Sequence, residues 1–503
     1  MHLRGNRSRR PEKSPEGAET MSIRLAVVTD IHYSGGPNRR NPGRKGAYGA
    51  LLLKRFLKLL EIEGWPDAVI AAGDLIDPAM AGDRAAIGRL NELGALLREV
   101  PVPVIAIPGN HDLPPAAFYE CIPKPPEYIE IKRTRIIPFL DPERPGWNAE
   151  RLPEELAKFD RARSGFDGQL VALQHVPVFP AGTGNSPYGY RNRDEIIAKM
   201  HATGCVLSIS GHHHAGSEPV FDGKATFLCA PALCESPFSF ARIELDDNGT
   251  VRYETDSFRL PDGFEWFDRH THTPYAYCGE NMDFEAEKEL MEMFNLAGCD
   301  VTEHSGQLYF TKRGFFGFDW FFNGLREPYA VNRLPDFLAY CRCFGDERFR
   351  AGFEVDITRK CEPVMTTALR ENAAALIGGI HHLDPNCPPG ELGELHLRMI
   401  EAYGRAGIPV LAHPLRILRK RGIDPEPYFD RIIALLKTYR MAAEVNFHHN
   451  SAHPEFTRRA LAAGVKLSFG SDAHHLSDFG FLQPHIRLLR SLGFDGDWHD
   501  ILY

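Results

Sequence analysis

The chain has 503 residues, too many for one hydrophobic core, so its length predicts about two to four domains. Its 43% of hydrophobic and 25% of charged residues are typical of a globular protein and exclude a disordered or membrane class. The net charge of −9 disfavours a long basic groove for nucleic acid and favours small phosphorylated substrates.

The ten cysteines indicate neither a disulfide framework nor a zinc knuckle, because no Cys-x-x-Cys pair occurs. A reducing cytoplasm is therefore the predicted location. No run approaches the roughly 18 apolar residues of a membrane span, and residues 1–20 lack the apolar core of a secretory signal. We predict a disordered tail over residues 1–21 and no membrane partner.

In the N-terminal half, short apolar runs end in polar or histidine-bearing turns, which is typical of buried parallel strands. The runs and the residues that follow them are 25–28 with Asp30 and His32, 69–72 with Asp74, 102–107 with Asn110, His111 and Asp112, 170–173 with His175, and 205–209 with His212 and His214. Helical patterns over 51–63 and 84–98 lie between the runs, so alternating α/β structure is predicted. The carboxyl ends of such strands converge on one crevice, so five distant segments can build a single site.

The sequence becomes β-rich from residue 226 to 256 and contains a turn at 246–249. This change predicts a second, antiparallel sheet that closes the first domain. Residues 260–263, Leu-Pro-Asp-Gly, are the predicted linker. The predicted domains are therefore 22–261 and 265–503.

In the C-terminal half the alternation restarts, and apolar runs again end in candidate ligands. The seven runs and the residues that follow them are 266–267 with His270, 299–302 with His304, Phe353 with Glu354, 374–377 with His381, 410–411 with His413, 442–443 with Glu444, and 465–469 with Asp472. Helical patterns separate them over 285–296, 391–405, 427–439 and 454–463. Seven β/α units predict a barrel whose active site lies at the C-terminal mouth of the strands.

Many of the 22 histidines stand in short clusters, such as residues 212–214 and 270–272, and such clusters indicate metal binding. Carboxylates and imidazoles together supply oxygen and nitrogen ligands that suit iron, manganese or zinc. One bridging carboxylate can hold two ions about 3.5 to 4 Å apart, which is an arrangement for phosphoryl displacement.

The motifs of the N-terminal half resemble those of the calcineurin-like metallophosphoesterases over about residues 23–261. They are Asp30-x-His32, Gly73-Asp74, Gly109-Asn110-His111-Asp112, His175 and Gly211-His212-x-His214. Residues 73–77, Gly-Asp-Leu-Ile-Asp, are similar to the branch with class III cyclic-nucleotide phosphodiesterases. The resemblance implies a four-layer α/β/β/α sandwich with two ions of iron, manganese or zinc. The resemblance implies that Asp30, His32 and His214 bind one ion, that Asn110, His175 and His212 bind the other, and that Asp74 bridges the two. It also implies that His111 assists the leaving oxygen and that Asp112 orients His111.

The motifs of the C-terminal half resemble the PHP family, named for polymerase and histidinol phosphatase, over about residues 266–503. They are His270-Thr271-His272, Thr302-Glu303-His304, Gly352-Phe353-Glu354, Gly379-Ile380-His381, Ala412-His413-Pro414 and Ser471-Asp472-Ala473-His474. The resemblance implies a distorted (β/α)7 barrel with two or three ions of manganese, zinc or iron. The implied ligands are His270, His272, Glu354 and Asp472 for one ion, Glu354, His381 and His413 for the second, and His304 and His474 for a third.

Two positions depart from the PHP pattern. Cys278 stands where many relatives have a further histidine for the third ion, so that ion is either bound through thiolate or missing, and Glu303 stands where aspartate is usual. Arg416 is the predicted phosphate clamp, with a surface arginine as the equal alternative. Glu444 is either a substrate contact or a hydrogen-bonding residue of the framework.

These motifs predict a metal-dependent phosphoester hydrolase with a phosphodiesterase site in the first domain and a phosphatase site in the second. The expected partner is a small phosphorylated or cyclic-nucleotide-like substrate. The two reactions could run in sequence, the first opening a diester and the second removing the resulting monoester. Two alternatives stay open: a nuclease acting on DNA or RNA, which needs a local basic path, and a binding or regulatory role for one domain.

Overall fold

A computed structural model of the protein describes residues 22–38, 41–77, 84–325, 331–450 and 452–503. The predicted tail over residues 1–21 lies outside the described residues. Within the described ranges, no helix combines the length and the apolar character that crossing a membrane requires.

The N-terminal half alternates strands and helices. Its strands are β1 (Ile23–Val28), β2 (Ala68–Ala71), β3 (Val104–Ala106), β4 (Ile129–Ile131), β5 (Thr134–Pro138), β6 (Glu143–Arg144), β7 (Asn148–Ala149), β8 (Gln169–Leu173), β9 (Cys205–Ser210), β10 (Val220–Phe221), β11 (Thr226–Cys229), β12 (Ser239–Leu245) and β13 (Val251–Ser257). Its α-helices are α1 (Gly49–Glu63), α2 (Arg84–Arg98), α3 (Pro115–Cys121), α4 (Pro153–Arg163) and α5 (Arg193–Thr203). The first two helices cover the helical patterns predicted from the sequence.

Two sheets pack together in this half, in the strand orders β13-β12-β1-β2-β3 and β10-β11-β9-β8-β5-β4. Alternate residues of β1 point to opposite faces, as in any strand. Leu25 and Val27 join a core cluster with Val171 and Leu207 of the second sheet, whereas Val28 joins the cluster that contains residues of α1 and α2. Residues of α4 and α5 pack on the far side of the second sheet. The layers are therefore helix, sheet, sheet and helix.

The predicted separate antiparallel sheet over residues 226–256 is wrong. Strand β11 pairs in parallel with β9 in the second sheet, and β12 pairs antiparallel with β1 in the first. The sequence shows the hairpin of β12 and β13 but not the sheet edge that it joins. That edge is β1, which pairs with β2 on its other side.

The C-terminal half contains seven strands in one sheet, and each predicted run contributes one of them. They are β14 (Trp266–Thr271), β15 (Leu296–His304), β16 (Phe349–Val355), β17 (Ala375–Gly378), β18 (Val410–Leu411), β19 (Ala442–Asn446) and β20 (Leu467–Gly470). The helices are α6 (Phe284–Phe294), α7 (Ser305–Tyr309), α8 (Lys312–Phe316), α9 (Asp319–Asn323), α10 (Leu334–Phe344), α11 (Thr367–Glu371), α12 (Leu392–Arg405), α13 (Arg416–Lys420), α14 (Phe429–Tyr439), α15 (Pro454–Ala462), α16 (Gln483–Ser491) and α17 (Trp498–Ile501).

The seven-stranded sheet is parallel throughout and curves until its two ends nearly meet. Neighbouring strands follow chain order from β14 to β20. A parallel bridge joins Thr271 to Ala473 beyond β20, and the N–H of Asp472 donates to the carbonyl of His270 at 2.8 Å. The result is a nearly closed barrel, and its closure brings the carboxyl ends of the first and last strands together.

The two halves of the chain share one hydrophobic core. The ring of Phe238 lies 5.7 Å from that of Phe294, and the ring of Phe258 lies 6.1 Å from that of Phe481. Leu260, in the predicted linker, is buried, and its N–H donates to the carbonyl of Phe294 at 2.9 Å. The linker is therefore a packed connection rather than a free hinge.

Candidate functional site

The loops after β1, β2 and β9 hold Asp30, His32, Asp74 and His212 in left-handed backbone, with φ of 52°, 47°, 54° and 68°. Such values are uncommon for residues other than glycine and require tertiary contacts to hold them. Those contacts include hydrogen bonds from the N–H of Asp30 to the carbonyl of Gly73 at 3.0 Å and from the N–H of His32 to that of Asp74 at 2.9 Å. The first two loops therefore form one unit that aims its side chains into the crevice.

Asp30, His32 and His214 lie together on one side of this crevice. The Nε2 atoms of His32 and His214 are 3.1 Å apart. Asp30 Oδ1 lies 3.4 Å from His214 Nε2 and 3.7 Å from His32 Nε2. The structure thus brings together residues from distant parts of the chain, since Asp30 and His214 are 184 positions apart in the sequence.

His175, His212 and Asn110 line the other side of the crevice. His212 Nδ1 lies 3.2 Å from His175 Nε2. Asp74 stands between the two groups, because its Oδ2 is 3.3 Å from His175 Nε2 and 3.7 Å from His32 Nε2. Its position is the one that a bridging carboxylate requires.

The second oxygen of Asp74 is fixed by the loop that carries Asn110 and His111. The N–H of His111 donates to Asp74 Oδ1 at 2.8 Å. A β-carbon at Gly109 would lie 2.1 Å from the same oxygen, so this approach requires glycine. Asp74 Oδ1 is therefore held by the framework while Oδ2 faces the crevice.

The residues of this crevice fit metal ions. Asp30 Oδ1 and Asn110 Oδ1 are buried and have no hydrogen-bond partner among the described residues, although buried polar atoms normally have one. The facing imidazole nitrogens of His32 and His214 need a proton or a cation between them. Imidazoles, carboxylates and an amide oxygen form the mixed donor set that suits iron, manganese or zinc.

Charge in the crevice also favours cations. Burial opposes ionisation of Asp30, but the neighbouring imidazoles of His214 and His32 hold the pKa of its carboxyl well below the usual range. Burial and repulsion from His175 lower the pKa of His212 to about 4, so that its imidazole is neutral near pH 7. Burial opposes protonation of His175, but attraction to Asp74 raises its pKa to about 10, so a bound cation would have to displace a proton from that ring. An ionised carboxylate and a neutral imidazole are the protonation states that bind metals.

In the C-terminal half, every strand of the barrel supplies a side chain at its carboxyl end. These side chains are His270 from β14 and His272 just after it, His304 from β15, Glu354 from β16, His381 after β17, His413 after β18, Glu444 from β19, and Asp472 and His474 after β20. Such a mouth is where barrels of this kind place their active sites.

Glu354 is fully buried at the centre of this mouth, and its Oε2 faces one group of ligands. This oxygen lies 3.5 Å from His270 Nε2 and 3.8 Å from His272 Nε2. Asp472 Oδ1 lies 3.3 Å from each of the same two nitrogens. The four residues predicted to hold one ion are thus gathered around a common point.

The other oxygen of Glu354 faces a second group. Oε1 lies 2.8 Å from His413 Nε2 and 3.1 Å from His381 Nε2. Glu354 therefore stands between two sets of histidines, as Asp74 does in the other half. The ring of the neighbouring His382 instead packs against Phe318, with the ring centres 4.1 Å apart.

These residues also fit metal ions. Several buried polar atoms of the barrel mouth have no hydrogen-bond partner among the described residues. They are His270 Nε2, both ring nitrogens of His272, His304 Nδ1, Glu354 Oε2, His381 Nε2 and His413 Nδ1. Buried polar atoms normally have partners, so this group of imidazoles and carboxylates fits a site for cations.

The predicted third ion would lie near His304 and His474. Nitrogens of these two residues and of His272 lie within 4.8 Å of one another. Cys278 Sγ accepts a hydrogen bond from the amide of Gln307 at 3.1 Å. Burial raises the pKa of the Cys278 thiol to about 12, so it is protonated near pH 7 unless a cation displaces the proton.

Arg416 lies in the site rather than on the open surface, and 17% of its side chain is exposed. Its Nη1 donates to Asp472 Oδ2 and its Nη2 to His413 Nε2, each at 2.7 Å. The residue lines a cavity of about 680 Å³ together with Arg419 and Lys420. The barrel mouth thus combines candidate metal ligands with local positive charge.

The sequence of the first half matches a known family. Residues 23–216 match the family model for calcineurin-like phosphoesterases. This segment is a calcineurin-like phosphoesterase domain. The chain is also 28% identical over 249 residues to a probable cyclic nucleotide phosphodiesterase of Synechococcus sp., a match that covers 46% of this chain and 92% of that protein. The protein is therefore a metal-dependent phosphoester hydrolase.

Solved structures give weaker likenesses. A dimetal phosphatase from Danio rerio is 15% identical and matches 47% of this chain and 98% of its own, with a TM-score of 0.39. A putative histidinol phosphatase from Listeria monocytogenes is 16% identical and matches 42% of this chain and 97% of its own, with a TM-score of 0.32. At such scores, neither likeness bears on the activity of this chain.

One residue of the calcineurin-like domain differs from its predicted role. Asp112 Oδ2 accepts the N–H of Gly109 at 2.9 Å and its Oδ1 accepts the N–H of Ile76 at 3.0 Å, so its carboxylate braces the backbone instead of orienting His111. The carboxylate beside His111 is that of Asp77, with Oδ1 3.7 Å from His111 Nδ1. The motif supplies both acids, and only the fold decides which one faces the ring.

The residues that orient the histidines of the calcineurin-like domain are not among those predicted from the sequence. Asp77 accepts a hydrogen bond from His32 Nδ1 at 3.0 Å, and the carbonyl of Ala72 accepts one from His175 Nδ1 at 2.8 Å. Glu235 Oε1 lies 2.9 Å from His214 Nδ1. Each contact fixes the ring so that its other nitrogen faces the crevice.

The barrel has matching partners. Asp356 accepts a hydrogen bond from His381 Nδ1 at 3.0 Å. Glu444 accepts one from His270 Nδ1 at 2.8 Å and another from the N–H of His413 at 2.6 Å. These contacts favour the framework alternative for Glu444. The sequence offered one signal for Asp356: it is an acidic residue two positions after Glu354.

Proposed function

We propose that the calcineurin-like domain is a phosphodiesterase and that the C-terminal half is a PHP-type phosphatase, each with its own metal centre. The observation that supports this is the same in both halves: one carboxylate, Asp74 or Glu354, stands between two groups of metal-binding side chains. The first centre would hold two ions and the second two or three.

Bound ions of iron, manganese or zinc would neutralise charge on the phosphoryl oxygens and lower the pKa of a coordinated water. The side chains around them would bind and orient the substrate. In the first site, His111 is the candidate proton donor to the leaving oxygen. Burial lowers the pKa of His111, which makes its protonated form a stronger acid.

In the second site, Arg416 would hold the phosphate of a monoester. Its planar guanidinium can donate two parallel hydrogen bonds to phosphate oxygens. It now donates to Asp472 and His413, and ions bound to those two residues would free it to face the substrate. A dianionic monoester suits a cavity that Arg416, Arg419 and Lys420 line.

The proposed substrates are small molecules, and the two sites are proposed to act one after the other. The cavities beside the two sites measure about 560 and 680 Å³, the size of a small-molecule pocket. They have no lining residue in common among the described residues. A monoester made at the first site would therefore reach the second through solvent, and cyclic nucleotides are the leading diester class because of the Synechococcus relative.

The direct test compares two variants of the full chain on two probe substrates after loading with manganese, iron or zinc. Asp74→Asn should abolish hydrolysis of bis(p-nitrophenyl) phosphate and keep that of p-nitrophenyl phosphate, and Glu354→Gln should do the reverse. Metal analysis of each variant should show losses from one centre only. Loss of both activities in either variant would contradict two independent sites.

A nuclease is the second candidate, because Arg416, Arg419 and Lys420 supply local positive charge at the barrel mouth. Neutralising phosphates with such residues makes nucleic-acid binding weaken as salt rises. Cleavage of a short single-stranded oligonucleotide, with a rate that falls steeply between 50 and 200 mM salt, would favour this candidate. Cleavage of mononucleotide monoesters alone would favour the phosphatase.

A further inference from the structure

Trp147 stands at the tip of the hairpin of β6 and β7, above the site of the calcineurin-like domain. Its φ is 62°, in the left-handed region that a bulky aromatic residue rarely adopts. Its relative exposure is 54%, so burial of the indole does not explain this conformation. The three-residue loop of this hairpin ends in a left-handed position that glycine or asparagine usually fills, so an exposed tryptophan beside the site is unusual there.

The hairpin that carries Trp147 is tied to the metal-binding residues. The carbonyl of Trp147 accepts a hydrogen bond from His212 Nε2 at 2.9 Å. Its ring lies 6.4 Å from that of His111, centre to centre, with the planes 24° apart. The indole is therefore held at a defined place next to the candidate proton donor. Any substitution of the side chain keeps the backbone carbonyl that supports His212.

The cavity of about 560 Å³ beside Trp147 is lined by several apolar side chains as well as by polar residues of the site. Its walls include Leu113, Pro115, Phe139, Leu140, Leu152 and Val176. Among the described residues that line it, none is a lysine or an arginine; Glu143 is acidic, and Asp141 is ion-paired with the buried Arg151 at 2.7 Å. Such a cavity disfavours a further phosphate and favours an uncharged flat group.

We propose that Trp147 is the specificity-determining residue of the first site, where its indole stacks on an uncharged aromatic group of the phosphodiester. The group is either a nucleobase or a simple aryl ring, since every base offers a π-face for stacking. This inference rests on the proposed phosphodiesterase function. It adds that the choice among phosphodiesters is determined by contact between the indole and an aromatic ring of the substrate, and not by a second phosphate.

The test uses pairs of inhibitors that differ only by an aromatic group. In the Glu354→Gln background, which keeps the second site from consuming them, phenylphosphonate is compared with methylphosphonate and AMP with ribose 5-phosphate as inhibitors of diester hydrolysis. Stacking should make the aromatic member of a pair bind about tenfold more tightly. A preference in the phenyl pair alone assigns an aryl ring, and one in the AMP pair assigns a nucleobase.

Two substitutions of Trp147 then test the residue. Trp147→Asn tolerates the left-handed backbone but lacks the ring, so it should abolish the preference and raise KM for aromatic diesters with little change in kcat. Trp147→Phe should restore most of the preference. Phe221→Asn, at another exposed aromatic residue, is the control and should change nothing.

The outcomes separate this inference from the proposed function. A preference that survives in Trp147→Asn, or equal weakening of both members of each pair, would overturn the stacking role while leaving the diesterase intact. Absence of diester hydrolysis in the parent protein would instead refute the phosphodiesterase itself.

Discussion

The guanidinium of Arg55 is buried between the two halves of the chain, where its Nε–H donates to the carbonyl of Ser477 at 2.9 Å. Its Nη2 donates to the carbonyl of Phe479, and its carbon Cζ lies 3.9 Å from the ring centre of Phe294. The two carbonyls belong to the segment that follows His474. Helix α1 of the calcineurin-like domain therefore holds a loop of the barrel mouth in place.

Replacing Arg55 with methionine should destabilise the protein by about 2 kcal/mol, because one buried and one partly buried carbonyl lose their donors. We also expect a larger loss of monoesterase than of diesterase activity, because the affected loop belongs to the barrel. Urea unfolding and the two probe substrates measure these effects. Arg252→Met, at an exposed arginine, is the matched control. Equal losses of both activities would argue against a local effect on the barrel loop.

Glu287 should make stability depend on pH. Burial raises the pKa of Glu287 to about 8 from an ordinary value of 4.5. Between these values the folded protein holds a proton that the unfolded chain releases, so stability falls as pH rises from about 4.5 to 8 and is level above. Glu287→Gln should remove this loss and gain about 2–4 kcal/mol at pH 8.5, with little gain at pH 4.5.

The measurement for Glu287 is urea unfolding of the parent and Glu287→Gln at both pH values. Glutamine keeps the carbonyl oxygen that can accept the N–H of Asp283, a bond of 3.1 Å in the parent. Glu285→Gln, at an exposed position of the same helix, is the control. A gain of the same size at both pH values would rule out the titration of Glu287 as the cause.

The sequence predicted the site through its strand ends. Apolar runs followed by aspartate, asparagine or histidine predicted the residues that lie around Asp74 and Glu354. The prediction was possible because the carboxyl ends of parallel strands lie at the same edge of a sheet. What the sequence did not show depends on tertiary packing. Asp77 rather than Asp112 faces His111, and hairpin β12–β13 joins β1, because the fold and not the local pattern selects these neighbours.

His111→Ala should slow diester hydrolysis by about 10²- to 10⁴-fold, as expected when proton transfer to the leaving oxygen is lost. The metals should stay bound, since His111 is not among the ligands proposed for either ion. The rate on bis(p-nitrophenyl) phosphate and the metal content of the variant are measured together. A variant that lacks metal at this centre would show that His111 is a ligand.

Asp356→Asn should reduce metal retention or monoesterase activity about 10- to 100-fold, because the residue orients His381 through a hydrogen bond. Diester hydrolysis at the other site should be unchanged. Metal content after dialysis against a weak chelator distinguishes the effect from general misfolding. Asp384→Asn, at a more exposed acid of the same half, serves as the control, and equal behaviour of the two variants would discount the orienting role.

The most direct test of the two-site proposal is product analysis on a single diester, cyclic AMP, with the parent protein, Asp74→Asn and Glu354→Gln. The parent should release inorganic phosphate, because the monoester made at the first site is consumed at the second. Glu354→Gln should accumulate the monoester, and Asp74→Asn should leave the diester intact. Release of phosphate by Glu354→Gln at the parental rate would contradict sequential action of the two centres.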